Sequence, residues 1–194
     1  SALSLALSVP SPGLSPTHSQ SLFQLRLLHY PSMPASELRR NQRSRISAHS
    51  DFGSLTLLFQ DKVGGLEVED PHCAGAFRAA EPVEGTVLVN VGDLMARWSN
   101  KRWKSSVHRV GLPARFQEHA EREDGKEGYD GGEGGEVRMV PQRYSIPFFA
   151  MPDVDTVIEA LPGCWGEDRP KLFDKVTAGG YVQMRMAALY EGGE

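Results

Sequence analysis

From residue 22 onward the chain is a succession of short apolar runs in which alternate positions are often polar or small. Phe23-Gln24-Leu25-Arg26-Leu27 shows the alternation clearly, and the run stops at Pro31. Comparable runs follow at Ser44–His49, Leu55–Phe59, Gly65–Val68, Thr86–Val91, Ser105–Val110, Val137–Val140 and Tyr144–Ala150. Gly53, Gly64, Gly65, Asp70-Pro71, Gly85 and Gly92-Asp93 separate them. A two-residue hydrophobic period marks half-buried strands, and many short strands punctuated by turn formers predict a mainly β sandwich or jelly roll. Helical pattern is confined to the ends. Asp153–Ala160, closed by Pro162-Gly163, predicts a short helix. Thr177–Tyr190 predicts a second, with Tyr181, Met184 and Ala188 at helical spacing and Thr177 as its N-cap.

Two stretches depart from this texture. Residues 1–21 hold an apolar run, Ala2–Val9, and then a Ser/Pro-rich connector with Pro10, Pro12 and Pro16. They predict the end of a helix and an irregular lead into the domain at 22–194. Residues 117–136 carry eight acidic residues and six glycines, with almost nothing to pack, which predicts a mobile surface insertion.

Composition narrows the function. A chain of 194 residues with 40% apolar and 24% charged content is long enough for one domain with a real core. The net charge of −4 argues against a nucleic-acid partner held by counterion release. No stretch approaches the roughly 20 apolar residues of a membrane span, and Ala2–Val9 lacks the basic flank of a signal peptide. Cys73 and Cys164 form no CxxC pair, so a reducing, cytoplasmic setting is the expectation.

The candidate chemistry centres on Ala48-His49-Ser50-Asp51-Phe52-Gly53. In an extended chain residues i and i+2 share a side, so His49 and Asp51 can present a nitrogen and a carboxylate oxygen to one point. His108, in the strand-like run Ser105–Val110, is the candidate third ligand. Two histidines and one carboxylate leave coordination positions open, which is the ligand set of non-haem Fe(II) oxygenases; zinc could take the same groups in a hydrolase. His18, His29, His72 and His119 lack patterned partners and are assigned to surface or packing.

The order of motifs is more specific than the tripeptide. Leu27-Leu28-His29-Tyr30-Pro31, the His49 run through Leu58, Val89-Asn90-Val91-Gly92-Asp93, Trp98-Ser99-Asn100, Ser105–Val110 and Arg143-Tyr144-Ser145-Ile146-Pro147-Phe148-Phe149 follow in sequence. The series resembles the iron(II)/2-oxoglutarate-dependent dioxygenase superfamily, in its isopenicillin N synthase-like branch. The resemblance implies a double-stranded β-helix, Fe(II) held by His49, Asp51 and His108, and 2-oxoglutarate whose distal carboxylate meets Arg143 and Ser145, with Tyr30 close by. It further implies O₂ as co-substrate, ascorbate as a possible reductant, and oxidation of a small organic molecule with release of succinate and CO₂. Asn90 and Asp93 are expected to support the fold, and Arg109 to stand behind a ligand. Two rivals stay open: an oxidase of the same branch that uses no 2-oxoglutarate, and a truncated, inactive domain. The second arises because family members usually carry a substantial helical region ahead of the strand that begins near Leu22. Without it, apolar barrel surface would be left uncovered.

Overall fold

The computed structural model describes residues 2–10, 13–20, 22–39, 44–117 and 138–191. The expected insertion at 117–136 and His119 lie outside them, apart from Gln117 itself. The helices are α1 (Ala2–Ala6), α2 (Ala35–Arg39), α3 (Asp93–Trp98), α4 (Ala114–Gln117) and α5 (Ala178–Glu191), with a single 3₁₀ turn at Ser15–His18. The strands are β1 (Gln24–Leu25), β2 (Leu28–Tyr30), β3 (Met33–Pro34), β4 (Ile46–His49), β5 (Leu55–Gln60), β6 (Leu66–Glu69) and β7 (Phe77–Ala79). They continue with β8 (Leu88–Val91), β9 (His108–Val110), β10 (Met139–Val140), β11 (Arg143–Ala150), β12 (Val157–Ile158) and β13 (Val176–Thr177).

Two antiparallel sheets form the double-stranded β-helix. One runs β1-β11-β5-β8, with β2 also on β11; the other runs β4-β9-β6-β7. Residues from both sheets line one cavity between them, in which apolar walls such as Leu58, Leu66 and Val110 surround a few polar groups. On β11 the hydrophobic alternation is inverted: Arg143, Ser145 and Pro147 are buried while Tyr144 and Ile146 are exposed. The opposite, outer face of that sheet is apolar and open to solvent, with Leu27 77%, Val89 57% and Phe59 48% exposed.

The apolar core sits beside the barrel. Leu7 and Leu14 of the N-terminal segment pack with Leu94, Met95 and Trp98, and with Ile158, Cys164, Ala178 and Tyr181. A smaller cluster joins Ala35, Leu38, Leu112, Phe116 and Val140. Thr177 caps α5 as expected, its hydroxyl accepting the Gly180 N–H at 3.1 Å.

The short helix expected over Asp153–Ala160 does not form. That stretch turns at once, with Thr156 N–H on the Asp153 carbonyl, and enters β12 against β13. A single turn of helix is costly to nucleate, and Val157-Ile158 prefer a strand once β13 offers a partner. The Asp153 carboxylate is taken by the N-terminal segment, accepting Ser19 Oγ, Gln20 N–H and Ser19 N–H. The Ser19 hydroxyl, with those backbone donors, holds its pKa below the usual carboxylate range. Helix α3 and strand β7 arise where alternation alone predicts neither.

Candidate metal centre and carboxylate grip

A β-bulge brings the two histidines together. Ile46 pairs with Val110 and His49 with His108, and the register shifts by one residue between those pairs. Strict alternation would put Ile46 and His49 on opposite faces; the bulge lets both line the cavity. The same local device orients each imidazole, since its Nδ1 lies against the carbonyl two residues back. His49 Nδ1 is 2.8 Å from Ser47 O, and His108 Nδ1 is 3.0 Å from Ser106 O. With Nδ1–H donated to those carbonyls, Nε2 is left as the free lone pair on both rings.

Asp51 follows β4 and is buried. Its Oδ2 accepts from Thr56 Oγ1 at 2.6 Å and from Asn90 Nδ2 at 2.8 Å. Thr56 and Asn90 are direct cross-strand partners, so the sheet itself aims these donors. Oδ1 stays free and lies 3.9 Å from Nε2 of both His49 and His108. The three ligand atoms fall within 4.8 Å of one another. Every other polar atom on these side chains is occupied, and the three that converge are a donor set for a cation.

The loop carrying Asp51 is clamped from several sides. Asp93 N–H donates to Asp51 O, and Leu94 N–H to the carbonyls of Phe52 and Gly53, so the start of α3 finds its acceptors in this loop. The Asp93 carboxylate accepts Tyr181 Oη at 2.8 Å and Ser50 Oγ at 3.2 Å and pairs with Arg185, tying α5 to the segment between His49 and Asp51. A Cβ on Gly92 would stand 2.3 Å from Gly53 O and 3.0 Å from Asp51 O. Gly92→Ala is therefore expected to lower stability by about 1–3 kcal/mol, as overpacking does. Because the clash falls on the Asp51 loop, it should weaken metal binding as well. Chemical denaturation and a Mn(II) titration of the same variant check both effects.

At the far end of the cavity Arg143 is 1% exposed, Ser145 3% and Tyr30 8%. Arg143 donates from Nη1 to Ser145 Oγ at 3.2 Å and from Nη2 to Gln60 Oε1 at 2.9 Å, and its guanidinium lies 5.0 Å from the Tyr30 ring centre. Nε is buried without a partner. Burial pulls the guanidinium below its usual pKa, opposed by Tyr30 and Asp61. Among the described residues no carboxylate pairs with it. A buried cation in that condition is costly unless an anion joins it.

Residues 21–152 match the model of a protein family described as the 2OG-Fe(II) oxygenase superfamily. The chain belongs to that superfamily. The chain is 40% identical over 192 residues to 2-oxoglutarate-dependent dioxygenase htyE of Aspergillus rugulosus, a match covering 97% of the chain and 53% of that relative. It is 39% identical over 194 residues to 2-oxoglutarate-dependent dioxygenase frbA of Dothideomycetidae sp. (strain 11243), covering 97% and 51%. A full-length Neurospora crassa protein, solved in complex with alpha-KG and 5-formyluracil, superposes with a TM-score of 0.78 at 35% identity, over 96% of the chain and 53% of its own length. The chain thus spans about half the length of the curated relatives it matches.

Several side chains do more than the sequence assigns them. Thr56 grips Asp51, and Gln60 grips Arg143. Asn90, expected only to support the fold, holds the same Asp51 oxygen as Thr56. The available signal was a lone polar residue at an inward-facing position of an otherwise apolar strand, as in Leu55-Thr56-Leu57 and Val89-Asn90-Val91. Arg109 turns away from the centre rather than standing behind His108, bonding Glu67 at 2.6 Å and stacking on Phe77. His18 packs near Trp98 with its Nε2 2.9 Å from Ser54 Oγ, and exposed His29 stacks on Tyr144. No helix of the described residues is long and apolar enough to cross a membrane.

Proposed function

We propose that this chain forms the catalytic domain of an Fe(II)- and 2-oxoglutarate-dependent dioxygenase that hydroxylates or desaturates a small organic molecule, with release of succinate and CO₂. His49 Nε2, Asp51 Oδ1 and His108 Nε2 hold the iron, and Arg143 with Ser145 and Tyr30 holds the distal carboxylate of 2-oxoglutarate. When bound, the iron supplies the activation of O₂ coupled to decarboxylation of the oxo acid. The chain's own contribution is positioning. The Ser47 and Ser106 carbonyls keep Nε2 available on each ring, and Thr56 and Asn90 reserve one Asp51 oxygen for the metal. Leu58, Leu66, Val68, Leu88 and Val110 wall the cavity and limit water in it.

The observation that carries this reading is Arg143, a buried cation that pairs with no carboxylate among the described residues and faces the same cavity as the three convergent ligand atoms. A zinc hydrolase needs no such anion grip. Free thiols at Cys73 and Cys164 fit the cytoplasm as its compartment. The test is stabilisation by ligand. Mn(II) together with 2-oxoglutarate should raise the melting temperature well beyond Mn(II) alone, and Fe(II), ascorbate and O₂ should then support succinate formation. A melt indifferent to 2-oxoglutarate sinks the proposal.

Asn90→Leu tests the positioning claim. It removes one donor from Asp51 without touching a ligand, and such supporting bonds are worth about 10–100-fold in metal affinity. Metal affinity measured by calorimetry should fall in that range, while the 2-oxoglutarate affinity of metal-saturated protein stays near that of the parent.

A further inference from the structure

The inward row that ends in Tyr30 has a charged residue at its other end. Tyr30 pairs with Arg143 and Leu28 with Ser145, and Arg26 continues the row, its N–H donating to Pro147 O at 3.0 Å. Tyr30, Leu28 and Arg26 all line the cavity. Four residues of extended chain separate the ends of this row by roughly 14 Å. Arg26 also borders a second, outer cleft of about 500 Å³, against about 100 Å³ for the inner cavity. His49, Asp51, Arg26 and Phe149 belong to both spaces, whereas Arg143 and Ser145 belong only to the inner one. The candidate metal ligands therefore sit between two guanidinium groups, one deep and one at the mouth.

The outer cleft is apolar apart from a few groups. Leu22, Met151, Val182, Met186 and Leu189 wall it, three of them contributed by α5. The one carboxylate there among the described residues is Asp51, whose Oδ2 is bonded to Thr56 and Asn90 and whose Oδ1 faces the histidines. Arg26 spends only its Nε, on Gln24 Oε1 at 2.9 Å, and its guanidinium lies 5.3 Å from the Phe149 ring centre. No carboxylate of the described residues pairs with it. A planar fork held against an aromatic ring, beside an apolar cleft and next to the reacting centre, is a carboxylate receptor with its terminal donors unspent.

Resting on the dioxygenase reading above, we infer that Arg26 determines substrate specificity. The substrate class is an apolar organic acid whose carboxylate meets Arg26 and whose hydrocarbon body lies in the outer cleft against α5, beside His49 and Asp51. The 2-oxoglutarate carboxylate does not compete for it, because Arg143 takes that group at the closed end.

The experiment uses the protein loaded with Mn(II) and 2-oxoglutarate, which binds without turnover. It is titrated with 3-phenylpropanoate and N-acetyl-L-leucine, and with the methyl ester of each. The free acids should bind about tenfold tighter than their esters, the usual scale of a charge-assisted contact. Arg26→Gln should erase that preference and Arg26→Lys should keep part of it, while both variants retain the shift in melting temperature caused by 2-oxoglutarate. Acids that bind no better than esters overturn the inference, as does a preference that survives in Arg26→Gln. A parent protein that ignores 2-oxoglutarate overturns the dioxygenase reading instead, so the two failures are separable.

Discussion

Asp51→Asn is expected to abolish metal binding while leaving the fold intact, although it changes one oxygen to a nitrogen. Thr56 Oγ1 and Asn90 Nδ2 both donate toward Oδ2 of residue 51. In the variant these two donors hold the amide oxygen, and the NH₂ group then points at the space between His49 and His108. A ligand lone pair becomes a pair of N–H donors, and the site loses its negative charge. Affinity for Mn(II) should drop by at least ~10³-fold, about 4 kcal/mol. The metal-free melting temperature should move little, because both donors keep an acceptor and no cavity is opened. Calorimetric titration and a metal-free melt on the same preparation decide it. Affinity within tenfold of the parent would remove Asp51 from the ligand set.

The two donors that fix the Asp51 rotamer come from neighbouring strands; each stands out in the chain as a lone polar residue in an apolar run, but nothing local says that both reach Asp51. His49 and Asp51 are two apart, so their common side follows from strand geometry alone. The partnership of His49 with His108 does not, because it depends on a bulge between Ile46 and His49 that shifts the register by one residue. Bulges have no composition signal here. The inverted pattern on β11 was legible only as a conflict: an arginine and a serine alternate with Tyr144 and Ile146, and alternation cannot say which set faces inward. The cavity settles that, since a barrel that binds polar ligands buries its polar row and exposes its apolar one.

At the fold level, long alternating runs were readable because each strand has one wet and one dry face. Short elements failed where tertiary partners outweighed local preference. Val157-Ile158 became a strand because Val176-Thr177 lay opposite, and α3 formed over Asp93–Trp98 because the loop carrying Asp51 offers acceptors for its first N–H groups. The apolar outer face of the β1-β11-β5-β8 sheet was anticipated only from the resemblance. Leu57, Phe59, Val89 and Ile146 look like ordinary strand interior in sequence, yet Phe59 and Val89 are exposed on a sheet whose other side is the functional cavity. A contiguous apolar surface of that kind is a liability for solubility of the isolated chain.

Arg143→Met should have opposite effects on function and on stability. Methionine approximates the length of the arginine stem without the charge, so the substitution removes the proposed carboxylate grip with little loss of volume. Affinity for 2-oxoglutarate in Mn(II)-loaded protein should fall by about 100-fold, the loss of paired charge-assisted bonds worth some 3 kcal/mol. Stability of the ligand-free protein should not fall, and a small gain is expected. A guanidinium that is 1% exposed, with Nε unbonded and no carboxylate partner among the described residues, raises the energy of the empty cavity. Arg45 sharpens the point. It lies on the same Tyr30 ring at 5.9 Å, is itself lowered in pKa first by burial and next by the charge of Arg143, and has two buried nitrogens without partners. The two positive groups repel, and the Asp61 carboxylate offsets part of that repulsion at each. Arg143→Lys should fall between parent and Met, since it restores charge without the fork. Melts with and without 2-oxoglutarate read both signs at once. A destabilised apo protein that still binds the oxo acid would remove Arg143 from the grip.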